Sequence, residues 1–324
     1  MENAMERFSG INIAVLVPCY NEQQTVAKVV TDFKRVLPSA KIYVYDNNSK
    51  DNTVKEAKAA GAIVRCAPLQ GKGNVVKRMF ADIEADVYVL VDGDATYDTN
   101  SAPLLIETLL DNMLDMVKGA RRSTSKEVYR LGHLFGNRLL TGIVRRIFGA
   151  RFKDMLSGYH VFSRRFVKSF PIASSGFEIE TELTVHALEL DMPTAEIETP
   201  YFVRPEGSTS KLSTFKDGWR IMRMIISLVK KERPLVFFSV VGIILALLAL
   251  VLAYPLLMTF IQTGLVPRLP TAVLSASLII LAFLSFACGL ILDTVTHGRK
   301  EAKQLKYLSI KHSGLEDLER SHEY

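Results

Sequence analysis

Cysteine is scarce in this 324-residue sequence, which has only Cys19, Cys66 and Cys288. Three cysteines that lie so far apart exclude a disulfide framework and a paired-cysteine metal site. They are typical of a protein that folds in the reducing cytosol. Apolar residues, in contrast, make up 48% of the chain, which excludes a disordered protein.

Charged residues are missing from two long stretches near the C-terminal end. No charge occurs between Arg233 and Arg268, and none occurs between Arg268 and Asp293. Each stretch exceeds the roughly 20 apolar residues that cross a bilayer core. We therefore predict two transmembrane helices, near 235–259 and 271–292, joined by a short loop with Pro and Gly. A buried hairpin of a soluble protein is the alternative, but such helices rarely run so long without a charge.

Basic residues flank these two stretches and predict their orientation. Lys and Arg precede the pair and follow it, whereas the connecting loop has only Arg268. The positive-inside rule then places both termini in the cytoplasm, with the chain in the plasma or inner membrane. The chain begins with MENAMERFSG, which has no apolar run for a signal peptide.

The domain plan follows from these spans. We predict a cytosolic catalytic domain over 1–210, a basic amphipathic juxtamembrane helix over 211–233, two transmembrane helices over 234–293 and a cytosolic tail over 294–324. The formal net charge is +6, and nearly all of the excess lies between Arg204 and Arg233. Within that segment, apolar side chains recur every three or four residues, as expected for a helix lying in the lipid headgroup plane. A helix packed on the domain core is the alternative, and no nucleic-acid partner is expected.

Strands and helices alternate along the first 120 residues. The predicted strands cover 11–17, 41–46, 62–66, 86–92 and 113–120, and the predicted helices cover 22–37, 51–60, 73–85 and 101–112. This alternation predicts an α/β fold with a mostly parallel sheet, whose ligands bind beyond the carboxyl ends of the strands. No GxGxxG follows the first strand and no GxxxxGK[ST] occurs, so neither a dinucleotide nor a P-loop site is predicted.

Asp92 and Asp94 are the sharpest chemical signal at those strand ends. Two carboxylates one residue apart after an apolar strand favour a divalent cation that keeps water and phosphate oxygens as its other ligands. Lys72 lies in a glycine-rich turn, where it can meet a phosphate, and Asp46 ends another predicted strand. An ordinary Asp-Gly turn is the alternative reading.

These motifs resemble a known family. The sequences PCYNE, DNNSKDNT, GKG and VDGDATYD resemble the nucleotide-sugar half of an inverting family-2 glycosyltransferase with the GT-A (Rossmann-like) fold. The later KDMLSGYHVFSRR, GFEIETEL and RPEGSTSK, with the two spans, are similar to the polyprenyl-phosphate branch, which includes dolichol-phosphate mannose synthase. Thr96 departs from a pattern in which a Gln ligates the metal. The QxxRW pattern of processive polymerases is absent, so a chain-building synthase is not expected.

The resemblance implies roles for individual residues on the donor side. Tyr20 would lie against the base, Glu22 would contact the ribose, Asp46 would read the base edge and Lys72 would sit near the diphosphate. Pro18 and Asn21 belong to the same nucleotide-sugar motif, and Asp92 and Asp94 would bind Mg²⁺ or Mn²⁺. The alternatives are structural: turn formation for Pro18 and Asn21, and a favourable helix-dipole interaction for Glu22.

The acceptor side is argued from chemistry and from the same resemblance. A polyprenyl phosphate needs cations near the membrane, and the chain offers Arg121, Arg130, Arg204, Ser210 and Lys211. A solvated basic face is the alternative for each of them. By the same resemblance, Asp154 occupies the place of the family's catalytic carboxylate, where it would act together with Asp94. The alternative is that it orients the acceptor or an arginine. Glu178 and Glu180 are candidates for binding a sugar hydroxyl or an arginine.

We therefore expect a membrane glycosyltransferase that forms a polyprenyl-phosphate-linked monosaccharide (undecaprenyl or dolichyl) with inversion. A UDP-sugar is the preferred donor, and GDP-mannose remains open. Another membrane acceptor, such as a diacylglycerol or a lipid-linked glycan, is the alternative; a non-catalytic membrane scaffold is the third reading. A small-residue pattern, Gly132 to Gly136, is compatible with a homo-oligomer such as a tetramer.

Overall fold

The computed structural model describes residues 10–123, 152–172, 178–204 and 226–311, with the single positions Phe8, Gly142, Gly176 and Arg223. The chain divides into two compact units. The first holds the sheet together with the chain from Lys303 onward, and the second ends at Ala302. The predicted acceptor residues Arg130, Ser210 and Lys211 and most of the predicted amphipathic helix lie outside the described residues.

In the described part of the first unit, seven strands form one sheet. They are β1 (Ile13–Cys19), β2 (Lys41–Asp46), β3 (Ile63–Cys66), β4 (Val87–Leu90), β5 (Met116–Ser123), β6 (His160–Ser163) and β7 (Thr194–Tyr201). Their order is β3-β2-β1-β4-β6-β5-β7, and only β6 runs antiparallel to its neighbours. The carboxyl ends of six strands therefore meet at one edge of the sheet, where β6 begins.

Helices follow most of the strands. They are α1 (Val26–Val36), α2 (Thr53–Ala59), α3 (Lys72–Asp82), α4 (Ala102–Asp111), α5 (Arg164–Ser169) and α6 (Ile179–Glu189). In α1 the side chains of Val26, Val30 and Phe33 recur on one face and are fully buried. The central strand β1 is apolar and buried on both faces, as expected for a strand covered by helices on each side. The α/β fold with a mostly parallel sheet is confirmed.

Several element bounds differ from the sequence-based expectation. The first helix begins at Val26 rather than near Glu22, because Glu22 lies in the turn that receives the backbone N–H groups of Thr25 and Val26. The fifth strand is β5 at Met116–Ser123 rather than 113–120. The residue before it, Asp115, is held by its N–H to the Pro193 carbonyl. Strands β6 and β7 and helix α5 were not predicted.

Two long apolar helices complete the described chain. Helix α7 (Pro234–Thr263) and helix α8 (Leu269–Leu308) are both long and apolar enough to cross a membrane. They pack on each other through small residues. A Cβ on Gly242 would lie 3.0 Å from the carbonyl oxygen of Ala282, and the Ser285 hydroxyl donates to the Phe238 carbonyl at 2.9 Å. Close contact through small residues is typical of helix pairs in lipid, so α7 and α8 are candidate membrane spans.

Helix α8 continues well past the predicted span end at 292. Its last turns belong to the first unit, where the Tyr307 hydroxyl donates to Asp115 at 2.6 Å and the Lys303 ammonium donates to Glu189 at 2.6 Å. Asp115 is fully buried and also pairs with Arg165 at 2.7 Å. The Arg165 guanidinium in turn lies 4.3 Å from the centre of the Tyr307 ring. The end of α8 is thus docked on the sheet unit.

Candidate active site

Asp46 ends β2 at the carboxyl edge of the sheet, in register with Cys19 of β1. Its side chain is buried, and its Oδ2 accepts a hydrogen bond from the Ser49 N–H at 3.1 Å. Its Oδ1 is buried and has no hydrogen-bond partner among the described residues. A buried acceptor without a donor is costly, so this oxygen fits a ligand N–H such as that of a nucleobase.

The turn after β1 carries three of the predicted nucleotide-sugar residues, Tyr20, Asn21 and Glu22. Asn21 has a φ of +52°, and its backbone N–H and side-chain oxygen bind Ser49 and Lys50 at 2.8 Å each. The Glu22 N–H donates to the Thr53 hydroxyl at 2.8 Å. Asn21 and Glu22 thus join the exits of β1 and β2. Pro18 lies in β1 and the half-buried Tyr20 directly follows it, at the same sheet edge as Asp46.

Lys72 begins α3 directly after Gly71. Gly71 has a φ of +124°, a backbone conformation that glycine adopts without strain. The Lys72 ammonium lies 2.5 Å from Asp92 Oδ1 and 2.5 Å from Glu180 Oε1. Burial lowers the pKa of Lys72, but the two carboxylates outweigh it and raise that pKa above its usual value. Lys72 is therefore a permanently charged group between the end of β4 and the start of α6.

Asp94 follows β4 two residues after Asp92 and lies against two partners. Its Oδ2 is 2.5 Å from the Arg204 guanidinium, and its Oδ1 accepts the Thr96 hydroxyl at 2.6 Å. Burial and the nearby charge of Asp92 raise the pKa of Asp94, against the opposing effects of Arg204 and Thr96. The two carboxylates are thus close enough to repel each other.

These two carboxylates fit a divalent cation in their chemistry. A hard divalent cation between the two carboxylates would relieve their mutual repulsion. Phosphate oxygens and water would complete the coordination of that cation. Thr96 supports the Asp94 carboxylate through its hydroxyl. Within the described ranges, no group of three or more His, Cys, Asp or Glu side chains is arranged to hold a metal ion.

Asp154 and Arg121 form a third charged pair at this edge. Two guanidinium nitrogens of Arg121 donate to the two Asp154 oxygens at 2.7 and 2.8 Å, and the Asp154 N–H donates to Glu196 of β7 at 3.0 Å. Burial alone would raise the pKa of Asp154, but the adjacent Arg121 holds it well below its usual value. A carboxylate so stabilised is a weak base, so its clearest role is to orient Arg121.

Gly158 lies beside the site but was not singled out from the sequence. The Gly158 N–H donates to the Tyr97 hydroxyl at 2.7 Å, and a Cβ on Gly158 would lie 2.5 Å from Asp92 Oδ2. Glu180, named from the sequence as a candidate for binding a sugar hydroxyl or an arginine, contacts Lys72 in the structure. The sequence signal for Gly158 was only its place in an SGY turn. The structure thus groups the predicted Lys72 with Asp92, Asp94 with Arg204, and Asp154 with Arg121.

Comparison with known proteins adds to this geometry. The model of the family described as "Glycosyl transferase family 2" matches residues 14–170. Glycosyltransferase AglJ of Haloferax volcanii is 34% identical over 233 residues, which cover 71% of this chain and 76% of AglJ.

Two further relatives have printed names that specify a lipid phosphate. A dolichyl-phosphate hexose transferase of Haloferax volcanii is 25% identical over 229 residues, covering 71% of this chain and 99% of that protein. A dolichol-phosphate mannosyltransferase of Pyrococcus furiosus is 25% identical over 252 residues, covering 72% and 69% of the two chains.

A solved structure shares the fold. Glucosyl-3-phosphoglycerate synthase from Mycobacterium tuberculosis, in complex with Mn²⁺, UDP and glucosyl-3-phosphoglycerate, has a TM-score of 0.56 and 21% identity. The match covers 71% of this chain and 82% of that chain.

Proposed function

Because this chain belongs to glycosyl transferase family 2, we propose that it moves a hexose from a nucleotide sugar to a polyprenyl phosphate with inversion. The preferred donor is a UDP-sugar, with GDP-mannose as the second candidate. The observation that carries the proposal is the occurrence, in one chain, of the charged pairs at the carboxyl edge of the sheet and two candidate membrane spans.

The donor would bind along the carboxyl ends of β1, β2 and β4. Asp46 Oδ1, buried and without a partner, would accept the N–H of the base, with Tyr20 and Glu22 beside the base and ribose. Lys72 would contact the diphosphate and exchange part of its contact with Asp92 for phosphate oxygens. The UDP in the solved relative supports a uridine nucleotide here.

Asp92 and Asp94 would hold a divalent cation, Mg²⁺ or Mn²⁺, and the Mn²⁺ in the solved relative supports this. When bound, the cation would supply positive charge that stabilises the leaving nucleoside diphosphate. Arg204 neutralises Asp94 in the structure, so Arg204 is the side chain that would share or yield this carboxylate. Its second guanidinium edge suits a phosphate of the acceptor.

The acceptor would be a phosphate monoester, which is already ionised near neutral pH because its second pKa is about 6. An oxygen of that phosphate would attack the anomeric carbon, and the bond from this carbon to the diphosphate would break. The electron pair leaves with the nucleoside diphosphate, and no proton has to be removed. Arg121, fixed by Asp154, would bind the acceptor phosphate, with Arg130, Ser210 and Lys211 as further proposed contacts.

The Asp154 pair favours this acceptor over a diacylglycerol or a lipid-linked glycan. A hydroxyl acceptor needs a general base, but Arg121 holds the pKa of Asp154 low and occupies both of its oxygens. The proposed protein spans the membrane twice, has both termini in the cytoplasm and forms a homo-oligomer such as a tetramer. The dolichyl-phosphate relatives support the lipid acceptor.

Transfer from radiolabelled UDP- and GDP-sugars to undecaprenyl phosphate, in detergent with Mn²⁺, tests this proposal. We compare the wild type with Asp94→Asn and with the matched control Asp32→Asn, which changes a carboxylate of an exposed i,i+4 ion pair. The expected product is a labelled lipid that requires the cation and Asp94 and that the control forms normally. Nucleotide-sugar binding without any labelled polyprenyl phosphate would contradict the proposed acceptor.

A further inference from the structure

Asn47 directly follows Asp46 and is 4% exposed. Its side-chain NH₂ donates to the carbonyl oxygens of Ala67 and Leu69, each at 2.8 Å. Its side-chain oxygen accepts the N–H of Gly71 at 2.7 Å. One buried amide therefore binds three backbone groups of a single loop, residues 67–71.

The loop 67–71 has no helix or strand of its own. Its backbone is held at its start by the Ala67 N–H, which donates to the Asp46 carbonyl at 2.8 Å. The Asn47 N–H donates to the Cys19 carbonyl at 2.9 Å, which anchors the amide to the end of β1. The three side-chain bonds of Asn47 hold both ends of the rest of the loop to the sheet. The exposed Asn48 side chain adds bonds to the Pro68 carbonyl at 2.9 Å and to the Gln70 side-chain oxygen at 3.2 Å.

The loop leads directly into Lys72. Gly71, the last loop residue, has a φ of +124°, and its N–H points to Asn47 in that conformation. Lys72 comes next, and its ammonium reaches Asp92 and Glu180. Any change in the path of 67–71 therefore moves the backbone from which Lys72 reaches into the site.

We propose that Asn47 is a positioning residue for the diphosphate of the donor: it holds the loop 67–71 and thereby sets Lys72, while its neighbour Asp46 faces the base. The proposal rests on the proposed function only in that a nucleoside diphosphate binds at Asp46 and Lys72. In this proposal, two adjacent residues of one motif act on the two ends of the nucleotide: Asp46 binds the base, and Asn47 acts on the diphosphate through Lys72. Asn47 itself does not touch the donor.

An aspartate at position 47 separates this role from simple packing. It has nearly the size of asparagine and still accepts the Gly71 N–H. It cannot donate to Ala67 and Leu69, and its charge faces their carbonyl oxygens, so the loop should leave the sheet. Asn47→Ala removes the three bonds without adding a charge.

The experiment measures the affinity of the purified full-length protein for UDP by calorimetry and for uridine by ligand-observed NMR. GDP and guanosine replace them if the wild type prefers GDP. The variants are Asn47→Asp, Asn47→Ala, Lys72→Met and the double variant Asn47→Ala with Lys72→Met. Asn112→Asp is the matched control, since that exposed amide lies at the end of α4.

We expect the Asn47 variants to bind UDP about tenfold more weakly, as for the loss of one hydrogen bond to a charged group, and to bind uridine like the wild type. The double variant should bind UDP no more weakly than Lys72→Met alone, because Asn47 acts through Lys72. Equal losses for uridine and UDP, or an additive double variant, would overturn the proposal. If Asn47→Asp does not fold, Asn47→Ala decides the question.

The two proposals can fail separately. A wild type that binds neither UDP nor GDP would overturn the proposed donor, and this inference with it. If the wild type binds the nucleotide and the Asn47 variants bind it equally well, only the role of Asn47 is overturned.

Discussion

The three basic side chains of the described site lie in contact with carboxylates. Lys72 touches Asp92 and Glu180, and the Arg204 and Arg121 guanidinium groups each contact one aspartate. Removing one partner of a buried pair leaves an uncompensated charge, which costs far more than the pair contributes. Substitutions at this edge therefore act on stability and on chemistry together, and uncharged positions give the cleaner tests.

Gly158→Ala is such a test. The added methyl group would lie 2.5 Å from Asp92 Oδ2 and 3.2 Å from the Lys72 ammonium, so it should displace the Asp92–Lys72 pair. We expect transferase activity to fall about a hundredfold, as for a displacement of about 1 Å at a reacting centre, with a much smaller change in thermal stability.

The control for this variant is Gly298→Ala in α8, where an added Cβ meets no atom within 4 Å. It should keep full activity, because alanine is also the better helix former. Normal activity of Gly158→Ala would show that Asp92 and Lys72 do not need their present arrangement.

Lys118 of β5 gives a pH-dependent prediction. It is fully buried, its ammonium donates to the Thr184 hydroxyl at 3.0 Å, and burial lowers its pKa from 10.5 to about 8, against the raising effects of Asp154 and Glu196. The folded state then binds fewer protons than the unfolded state between pH 8 and 10.5, so this group makes stability rise with pH in that window.

The variant Lys118→Met lacks this buried titrating amine. The stability of the wild type relative to Lys118→Met should therefore increase by about 3 kcal/mol as the pH rises from below 8 to above 10.5, measured by unfolding in detergent at several pH values. A difference that does not change with pH would mean that Lys118 titrates normally.

At the scale of elements, the end of α8 and the start of β5 form one buried contact. Asp115 precedes β5 at the amino edge of the sheet, opposite to the edge that carries the site, and binds Ser163, Arg165 and Tyr307. Lys303 binds Glu189 at the end of α6, the helix whose first turn contains Glu180. The sheet unit is therefore completed by the last turns of α8.

Tyr307→Phe tests this contact. Loss of its hydroxyl removes one hydrogen bond to a buried carboxylate, which we expect to cost about 2 kcal/mol of stability. Activity at low temperature should stay normal, because Asp115 lies at the edge away from the site. The measurement is thermal unfolding in detergent beside Tyr254→Phe, a control in which the tyrosine is exposed on α7. Equal midpoints for the two variants would contradict the docking of α8.

The elements that the sequence predicts are those whose side chains have a clear period. Strands β1, β2 and β4 are apolar and buried, so their existence and place were predicted to within a few residues. Strand β7 carries Glu196 and Glu198 and is only half buried, so its pairing with β5, rather than its composition, makes it a strand. Helix α6 is buried on all sides, with polar residues among its buried ones, and shows no amphipathic pattern.

The site follows the same division. Asp46 ends β2, Lys72 begins the helix that follows β3, and Asp92 and Asp94 follow β4. Their position at the carboxyl edge follows from the parallel sheet. Which cation meets which carboxylate is a tertiary property. Lys72 and Glu180 are 108 residues apart, and no spacing rule connects them. The role of Asn47 was hidden for the same reason, since its three partners lie in a loop without a pattern.

At the scale of the whole molecule, a sheet unit of family 2 is followed in the same chain by two candidate membrane spans. The charges on either side of α7 and α8 predict that both termini face the cytoplasm. Within the pair, Gly242 and Gly289 allow close packing, while most other apolar side chains of the two helices are exposed and suit contact with lipid.

Cysteine labelling tests this topology. In a background of Cys19→Ala, Cys66→Ser and Cys288→Ala, single cysteines are introduced as Val266→Cys or Ser321→Cys. In intact cells, a membrane-impermeant maleimide should label position 266, between the spans, and should label position 321 only after lysis. Labelling of position 321 in intact cells would reverse the proposed orientation.

The pairing of charges at the site has a consequence for how a nucleotide arrives. In the described site, the cations Lys72, Arg121 and Arg204 are outnumbered by the carboxylates Asp92, Asp94, Asp154 and Glu180. These seven side chains together therefore exert no net attraction on a bare nucleoside diphosphate at a distance. Its rate of association should not increase when ionic strength is lowered, in contrast to electrostatically steered ligands. Capture of the donor would then depend on short-range fit and not on long-range attraction.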